Sequence, residues 1–334
     1  MSAPEVLLAD TIFITGVAGF IGSHVAEALL LRGDRVRGLD NFDPFYDRSL
    51  KERNLAVLSA YPEFRFTEGD IRDEAVLGRW KDSFPADALI HLAAKAGVRP
   101  SLADPAGYAD VNVSGTARIL AWARNRAVPR VLFASSSSVY GGNTKIPFSE
   151  DDPVDHPVSP YAATKKAGEL LCHTYYHLYG MNIVSLRFFT VYGPQQRPEM
   201  AIHKFTRLLH QGKEIDVYGD GSSRRDYTYV DDVVGGVLGA LSAPPGYRVY
   251  NLGRSDTISL SDLIGLLEEA TGIQANLRFL PEQPGDVPVT FADITRARSE
   301  IGYNPKTPVT EGVARFVRWY RSILAESTFR GGDR

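Results

Sequence analysis

A single cysteine in 334 residues, Cys172, excludes an intrachain disulfide. Set in a stretch of helical composition, it reads as a buried structural thiol and not as a nucleophile. The seven histidines are scattered without metal-ligand spacing, so no metal site is expected. There is no basic block: 37 Lys+Arg against 40 Asp+Glu give a net charge of −3, which removes nucleic acid and anionic membrane surfaces as expected partners. No apolar stretch approaches the roughly 18 residues needed to span a bilayer. The opening Met-Ser-Ala-Pro-Glu-Val-Leu-Leu-Ala-Asp lacks a basic start and a long apolar run, so a cytoplasmic location is expected. Internal repeats and low-complexity segments are also missing.

The remaining composition, 44% hydrophobic and 23% charged, is that of a globular chain long enough to bury a sizeable core. Short β-branched and aromatic runs fall at Thr11–Thr15, Arg35–Leu39, Phe64–Glu68, Ala88–Leu92, Val131–Ser135 and Ile183–Arg187, with helical stretches between most of them. That alternation predicts an α/β fold, a Rossmann-type doubly wound parallel sheet covered on both faces. After about residue 187 prolines and glycines become frequent, in Tyr192-Gly-Pro-Gln-Gln-Arg-Pro, Tyr218-Gly-Asp-Gly-Ser-Ser and Pro281-Glu-Gln-Pro-Gly-Asp, interleaved with helical segments Leu260–Ala270 and Gly312–Leu324. The expected division is a dinucleotide-binding domain over 9–187 and a smaller C-terminal α/β substrate lobe over 188–225 and 253–325. Residues 226–252, with a strand at Val249–Leu252, are expected to cross back to the first domain.

Thr11-Ile-Phe-Ile-Thr-Gly16-Val-Ala-Gly19-Phe20-Ile21-Gly22-Ser-His reads as strand, glycine turn and helix. Gly16 and Gly19 let backbone approach a pyrophosphate, Gly22 lets the helix pack closely on the sheet, and the N–H groups opening the helix at Phe20 and Ile21 face the phosphates. Asp40 ends the second strand eighteen residues after Gly22, where a carboxylate accepts from ribose hydroxyls and repels a 2′-phosphate. Asn41-Phe42 follows it with no arginine, so NAD is favoured over NADP. Asp70-Ile71 lies after the third strand, near the adenine position. Leu92-Ala93-Ala94-Lys95 follows the fourth, where small residues admit the middle of the cofactor, and Lys95 reads equally as a cofactor contact or a solvated loop lysine.

Tyr161 and Lys165 share one helical face in Ser-Pro-Tyr161-Ala-Ala-Thr-Lys165. A phenol, with a reference pKa of about 10, is a poor base while protonated. A fixed ammonium and a cationic nicotinamide nearby would favour the phenolate. One Tyr-x-x-x-Lys is weak evidence; following a phosphate loop and the Ser135–Ser138 cluster in this order, it is not.

These motifs, with His91-Leu-Ala-Ala, Ser138-Val-Tyr-Gly, Arg187-Phe-Phe-Thr-Val-Tyr-Gly-Pro and Arg225-Asp-Tyr-Thr-Tyr-Val-Asp-Asp, together resemble the extended short-chain dehydrogenase/reductase family over nearly the whole chain. The resemblance implies an NAD-dependent enzyme acting on a nucleotide sugar, with Ser136, Tyr161 and Lys165 catalytic, Arg225 on the substrate pyrophosphate and, commonly, a homodimer. Where related 4,6-dehydratases carry Asp-Glu, and uronate decarboxylases a Glu at the second position, this chain has Ser137-Ser138, which perform neither role at neutral pH. C4 epimerisation remains. The segments Tyr192–Ala201 and Pro281-Glu-Gln-Pro-Gly-Asp286-Val resemble those of the UDP-glucuronate 4-epimerases, which places Arg197, Ser137, Ser138 and Thr190 around a sugar carboxylate and Asp286 at the substrate. Gln283 departs from the arginine frequent at its position in other nucleotide-sugar enzymes and shifts anion binding toward Arg225. Arg197 also reads as a loop arginine paired with Glu199. The alternatives are a UDP-glucose/UDP-galactose 4-epimerase and, further off, a UDP-glucuronate decarboxylase or a non-catalytic NAD-binding regulator.

Overall fold

Strand β1 (Thr11–Thr15) is buried at every position, and its side chains alternate between two cores. Ile12 and Ile14 enter one apolar cluster and Phe13 the other, the period-two signature of a strand covered on both faces. In the second cluster Phe13 meets Trp80 edge-on at 5.0 Å, and Trp80 lies against Trp122 at 4.8 Å. The computed structural model describes residues 9–282 and 287–331. Around β1 stand β2 (Arg35–Asp40), β3 (Phe64–Glu68), β4 (Ala88–His91), β5 (Arg130–Ser136) and β6 (Asn182–Phe188), each within a residue or two of its expected place. A last strand, Tyr247–Leu252, pairs in parallel with β6. The seven-stranded sheet runs Tyr247–Leu252, β6, β5, β4, β1, β2, β3, and all its pairings are parallel. This is the Rossmann-type doubly wound sheet.

The strand order reverses at β1, which lies between β2 and β4. Helices leave opposite faces there, and the crevice beyond the strands' C-terminal ends is where such sheets bind ligands. Helix α1 (Phe20–Arg32) starts from Gly19 with no side-chain cap and stops at Gly33, whose φ of 99° is open to glycine. The Pro160–Tyr179 helix has a full set of end signals. The Ser159 side chain accepts from the Ala162 N–H, Pro160 occupies the first turn, and Gly180 closes it in the left-handed region. Cys172 is buried on that helix, and burial drives its thiol pKa far up.

The rest of the second half is stitched from small pieces. Thr190–Tyr192 pairs with Tyr227–Tyr229, Arg224–Arg225 with Ile258–Ser259, and Ile215–Tyr218 with Leu277–Leu280. Asp226 ties several of them together: its buried carboxylate accepts the N–H groups of Arg254, Ser255 and Ala292 and the Thr228 hydroxyl. Helices Leu260–Thr271 and Val309–Gly331 appear where helical composition was read, the second longer than expected. Among the described residues no helix is long and apolar enough to cross a membrane.

Candidate active site

A cleft of about 360 Å³ opens at the C-terminal ends of β1, β2, β4, β5 and β6 and reaches from Asp40 and Asp70 to Tyr161 and Arg197. The wall formed by the glycine loop is largely backbone. A Cβ on Gly22 would sit 2.1 Å from the Gly16 oxygen, and one on Gly16 would sit 2.7 Å from the Ala93 nitrogen. Gly16 has φ +73°, and its N–H donates to the Leu39 carbonyl at 2.7 Å. With no side chain capping α1, the N–H groups of its first turn are presented to the cleft. Phe20, Ile21, Leu92, Ala93 and Ala94 line the same surface.

Toward the far end, Asp40 is buried and already engaged. Its carboxylate accepts the Ala18 N–H at 3.2 Å, the Phe42 N–H at 2.9 Å and the Lys51 ammonium at 3.1 Å. The absence of an adjacent arginine therefore does not leave Asp40 unpaired: Lys51, one helical turn into the Arg48–Ser59 helix, neutralises it. Asp70 sits between Arg72 and Asn41, and the Arg72 hydrogen bonds hold its carboxyl down at about 2. Ile71 is buried beside it. The ammonium of Lys95 pairs with Asp104 at 3.0 Å, while the Lys95 backbone is held by Asn112, which also reaches Thr164 on the Pro160–Tyr179 helix.

At the other end stand Ser136, Tyr161 and Lys165. Ser136 ends β5, and its hydroxyl oxygen accepts the Ser138 N–H at 3.1 Å, capping the turn Ser137–Tyr140. Tyr161 is half-buried, edge-on to Tyr108 at 6.3 Å. Burial raises its phenol pKa; a hydrogen bond with Ser136, and then the charge of Arg197, oppose that rise. Lys165, expected to lower the phenol, lies near the Tyr161 ring and is bound to the backbone. Its buried ammonium donates to the Ala134 carbonyl at 2.7 Å, lies 6.0 Å from the Tyr161 ring centre, and is itself pushed down to about 8 by burial. In this arrangement the groups that oppose the rise are Ser136 and Arg197, while the Lys165 ammonium is engaged by a backbone carbonyl.

Ser137, Ser138, Thr190 and Arg197 line the cleft opposite the glycine loop. Arg197 also pairs with Glu199 at 3.3 Å, so both readings of that residue describe the same side chain. Arg225 does not line the cleft; its guanidinium donates to the carbonyls of Arg224 and Pro288. Gln283 and Asp286 lie outside the described residues. Among the described residues no cluster of His, Cys, Asp or Glu is arranged to hold a metal.

The NAD dependent epimerase/dehydratase family matches residues 12–253, from β1 to just past the last sheet strand. The chain belongs to that family. Among its relatives, UDP-glucuronate 4-epimerase 2 of Arabidopsis thaliana is 45% identical over 329 residues, covering 93% of this chain and 75% of the relative. A probable UDP-glucuronate 4-epimerase of Rhizobium meliloti is 43% identical, covering 92% and 96%. The Bacillus cereus UDP-glucuronic acid 4-epimerase, solved with UDP-glucuronic acid and NAD, superposes with a TM-score of 0.88 at 35% identity, covering 94% of this chain and 99% of that one. The chain is an NAD-dependent epimerase of this family, and its glycine cradle fits the cofactor's diphosphate.

The motif reading of this epimerase missed groups behind the cleft. Arg187 and Glu169 form a buried two-point ion pair at 2.8 and 2.9 Å. Glu169 accepts from Ser135 at 2.7 Å, and Arg187 donates to Tyr140, which donates to Asn251. This network holds Ser135 at one end of the serine cluster and Tyr140 two residues past the other. Its signal was present in Arg187, a charge closing an apolar strand, and in Glu169, two turns after Tyr161. Lys51, Tyr46 and Phe45 also line the cleft from the segment after β2 and carry no motif that would single them out.

Proposed function

We propose that the protein interconverts UDP-glucuronate and UDP-galacturonate at C4, and that the cleft residues act as follows. Gly16, Gly19, Gly22 and the first turn of α1 hold the diphosphate of NAD; Asp40, Asn41, Asp70 and Ile71 take the adenosine end, and Leu92–Lys95 the middle. Bound there, NAD would supply a reversible hydride acceptor for sugar C4. Tyr161, as phenolate, takes the proton of the C4 hydroxyl and gives it back, while Ser136 hydrogen-bonds the same oxygen. Lys165, anchored on the Ala134 carbonyl, holds the nicotinamide ribose. The 4-keto sugar turns over in the pocket between the two half-reactions, so no net oxidation results.

The observation that carries this reading is Ser137-Ser138 beside Ser136 and Tyr161: the cleft offers an acid/base for C4 and has hydroxyls at the two positions where dehydration would need carboxyl groups. The keto intermediate is a β-keto acid, and loss of CO₂ requires its C5–C6 bond to align with the carbonyl π system. Ser137, Ser138 and Thr190 hold the carboxylate out of that alignment, with Arg197 beside it. Arg225 and Asp286 complete substrate binding in this reading, Arg225 by releasing its carbonyl contacts. The Arg197–Glu199 pair is the one observation that favours a neutral hexose, hence UDP-glucose/UDP-galactose epimerisation as the second reading.

We assign residues 9–187 and 226–252 to the cofactor half and 188–225 and 253–325 to the substrate half, supported by the Tyr247–Leu252 strand joining the sheet. We extend the reading to a homodimer acting in the cytoplasm; sedimentation tests the first and cell fractionation the second. Incubation with UDP-glucuronate and no added cofactor is expected to yield UDP-galacturonate without accumulating NADH. A UDP-pentose with CO₂, or turnover of UDP-glucose alone, overturns the assignment.

A further inference from the structure

The loop Gly193–Met200 carries Arg197 to the cleft, and its attachment is concentrated just before that residue. The His24 ring donates through Nε2 to the Pro194 carbonyl at 3.0 Å. The Ser23 hydroxyl lies 3.0 Å from the side-chain oxygen of Gln195 and 3.1 Å from the Phe20 carbonyl, sharing one proton between them. Gln195 has a φ of 65°, a left-handed conformation that needs outside support in a non-glycine residue. From the opposite side, the ring of His203 donates through Nδ1 to the Gln196 carbonyl at 2.6 Å. Burial pushes both histidines toward the neutral form, in which a ring has one N–H to give, and the carbonyl partner fixes which nitrogen carries it.

Ser23 and His24 directly follow Gly22, so the loop is fastened to the first turns of α1, the helix whose N-terminus faces the cofactor. Arg197 is two residues beyond Gln195.

We propose that Ser23 and His24 are positioning residues that latch the Gly193–Met200 loop onto α1 and thereby hold Arg197 at the sugar end of the cleft. The inference rests on the reading of the substrate as a UDP-uronate. It assigns a specificity role to two side chains that touch neither cofactor nor sugar. One helix then sets both the phosphate cradle and the reach of the residue facing the carboxylate.

The test uses the NAD-loaded enzyme in four forms: wild type, Ser23→Ala, His24→Ala and His24→Gln. For each, KM and kcat are measured with UDP-glucuronate, together with the Kd for UDP, which has no carboxylate, and the amount of NAD retained. His24→Ala is expected to raise KM for UDP-glucuronate about three- to tenfold, the loss of one hydrogen bond. Its kcat, Kd for UDP and NAD content should stay near wild type. His24→Gln, whose amide nitrogen falls near the position of Nε2, should restore KM, and Ser23→Ala should shift it in the same direction by less. An unchanged KM in His24→Ala, a loss shared equally by kcat, UDP affinity and NAD content, or a Gln variant no better than Ala overturns the latch. If His24→Ala does not fold, Ser23→Ala and His24→Gln decide the question alone. Failure of the underlying reading shows separately, as wild-type enzyme that does not epimerise UDP-glucuronate, and it overturns the latch as a specificity device too.

Discussion

On the cofactor side of the cleft the backbone is the surface, and the 2.1 Å that a Gly22 Cβ would leave to the Gly16 oxygen shows how little room remains. Across the cleft the surface is side chains: Ser137 and Ser138 on a short turn, Thr190 on a three-residue strand, and Arg197 on a loop. At Gly16 and Gly22 the first wall has no room for a Cβ, because the glycines that face the cleft also make the strand–turn–helix geometry. The second can change by exchanging hydroxyls or charges without moving the sheet. A fold built this way keeps its hydride chemistry fixed while its choice of sugar stays adjustable.

The largest effect should come from the group that serves both walls. Tyr161→Phe removes one oxygen and should cut kcat by about 10²–10⁴-fold with NAD content unchanged, read by steady-state rates and cofactor release on denaturation. Near wild-type turnover would mean that another group handles the C4 proton.

Next is the support beneath the serine cluster. Glu169→Gln leaves the buried Arg187 charge without its carboxylate and should cost about 3–5 kcal/mol of stability, measured by denaturant unfolding. A loss confined to activity, with stability unchanged, would show that the pair positions the serines and does not hold the fold.

Lys165 separates stability from chemistry. Burial depresses its pKa to about 8 in the folded protein, against about 10.4 in an unfolded chain. Between those values the unfolded state binds the extra proton, so stability attributable to this group rises with pH over roughly 8 to 10.4. Below pH 8 the full cost of burying the charge is present. With both proteins cofactor-free, the Lys165→Met variant should therefore be more stable than wild type at pH 7 and progressively closer to it as pH rises to 10, and it should be inactive when loaded with NAD. A melting-temperature difference that is flat across that range would contradict the burial argument.

How much of this was legible follows the same divide. β1 to β6 and α1 could be read from β-branched and aromatic runs and glycine spacing because the deciding contacts are local, and the Ser159-Pro160 start of the Pro160–Tyr179 helix is local as well. Lys51 could not be read that way, since its pairing with Asp40 depends on how the Arg48–Ser59 helix folds back over the end of β2. The two- to four-residue strands of the second half escaped for a related reason: they are fixed by long-range partners such as Asp226, whose four hydrogen bonds span residues 228 to 292. The direction of the Lys165 ammonium was likewise invisible in its spacing from Tyr161.

A smaller effect belongs to the substrate wall. Arg197→Ala should weaken kcat/KM for UDP-glucuronate about tenfold, the value of one charge-assisted contact, and leave UDP binding intact. Release of UDP-pentose by this variant would add that Arg197 restrains the keto acid. If Arg197 only pairs with Glu199, neither change appears.

The most direct test of the divided cleft is the ratio of wild-type kcat/KM for UDP-glucuronate to that for UDP-glucose. Serines, a threonine and an arginine around a carboxylate predict a preference for the uronate of about tenfold or more. Equal values, or a preference for UDP-glucose, would contradict the account of the substrate wall.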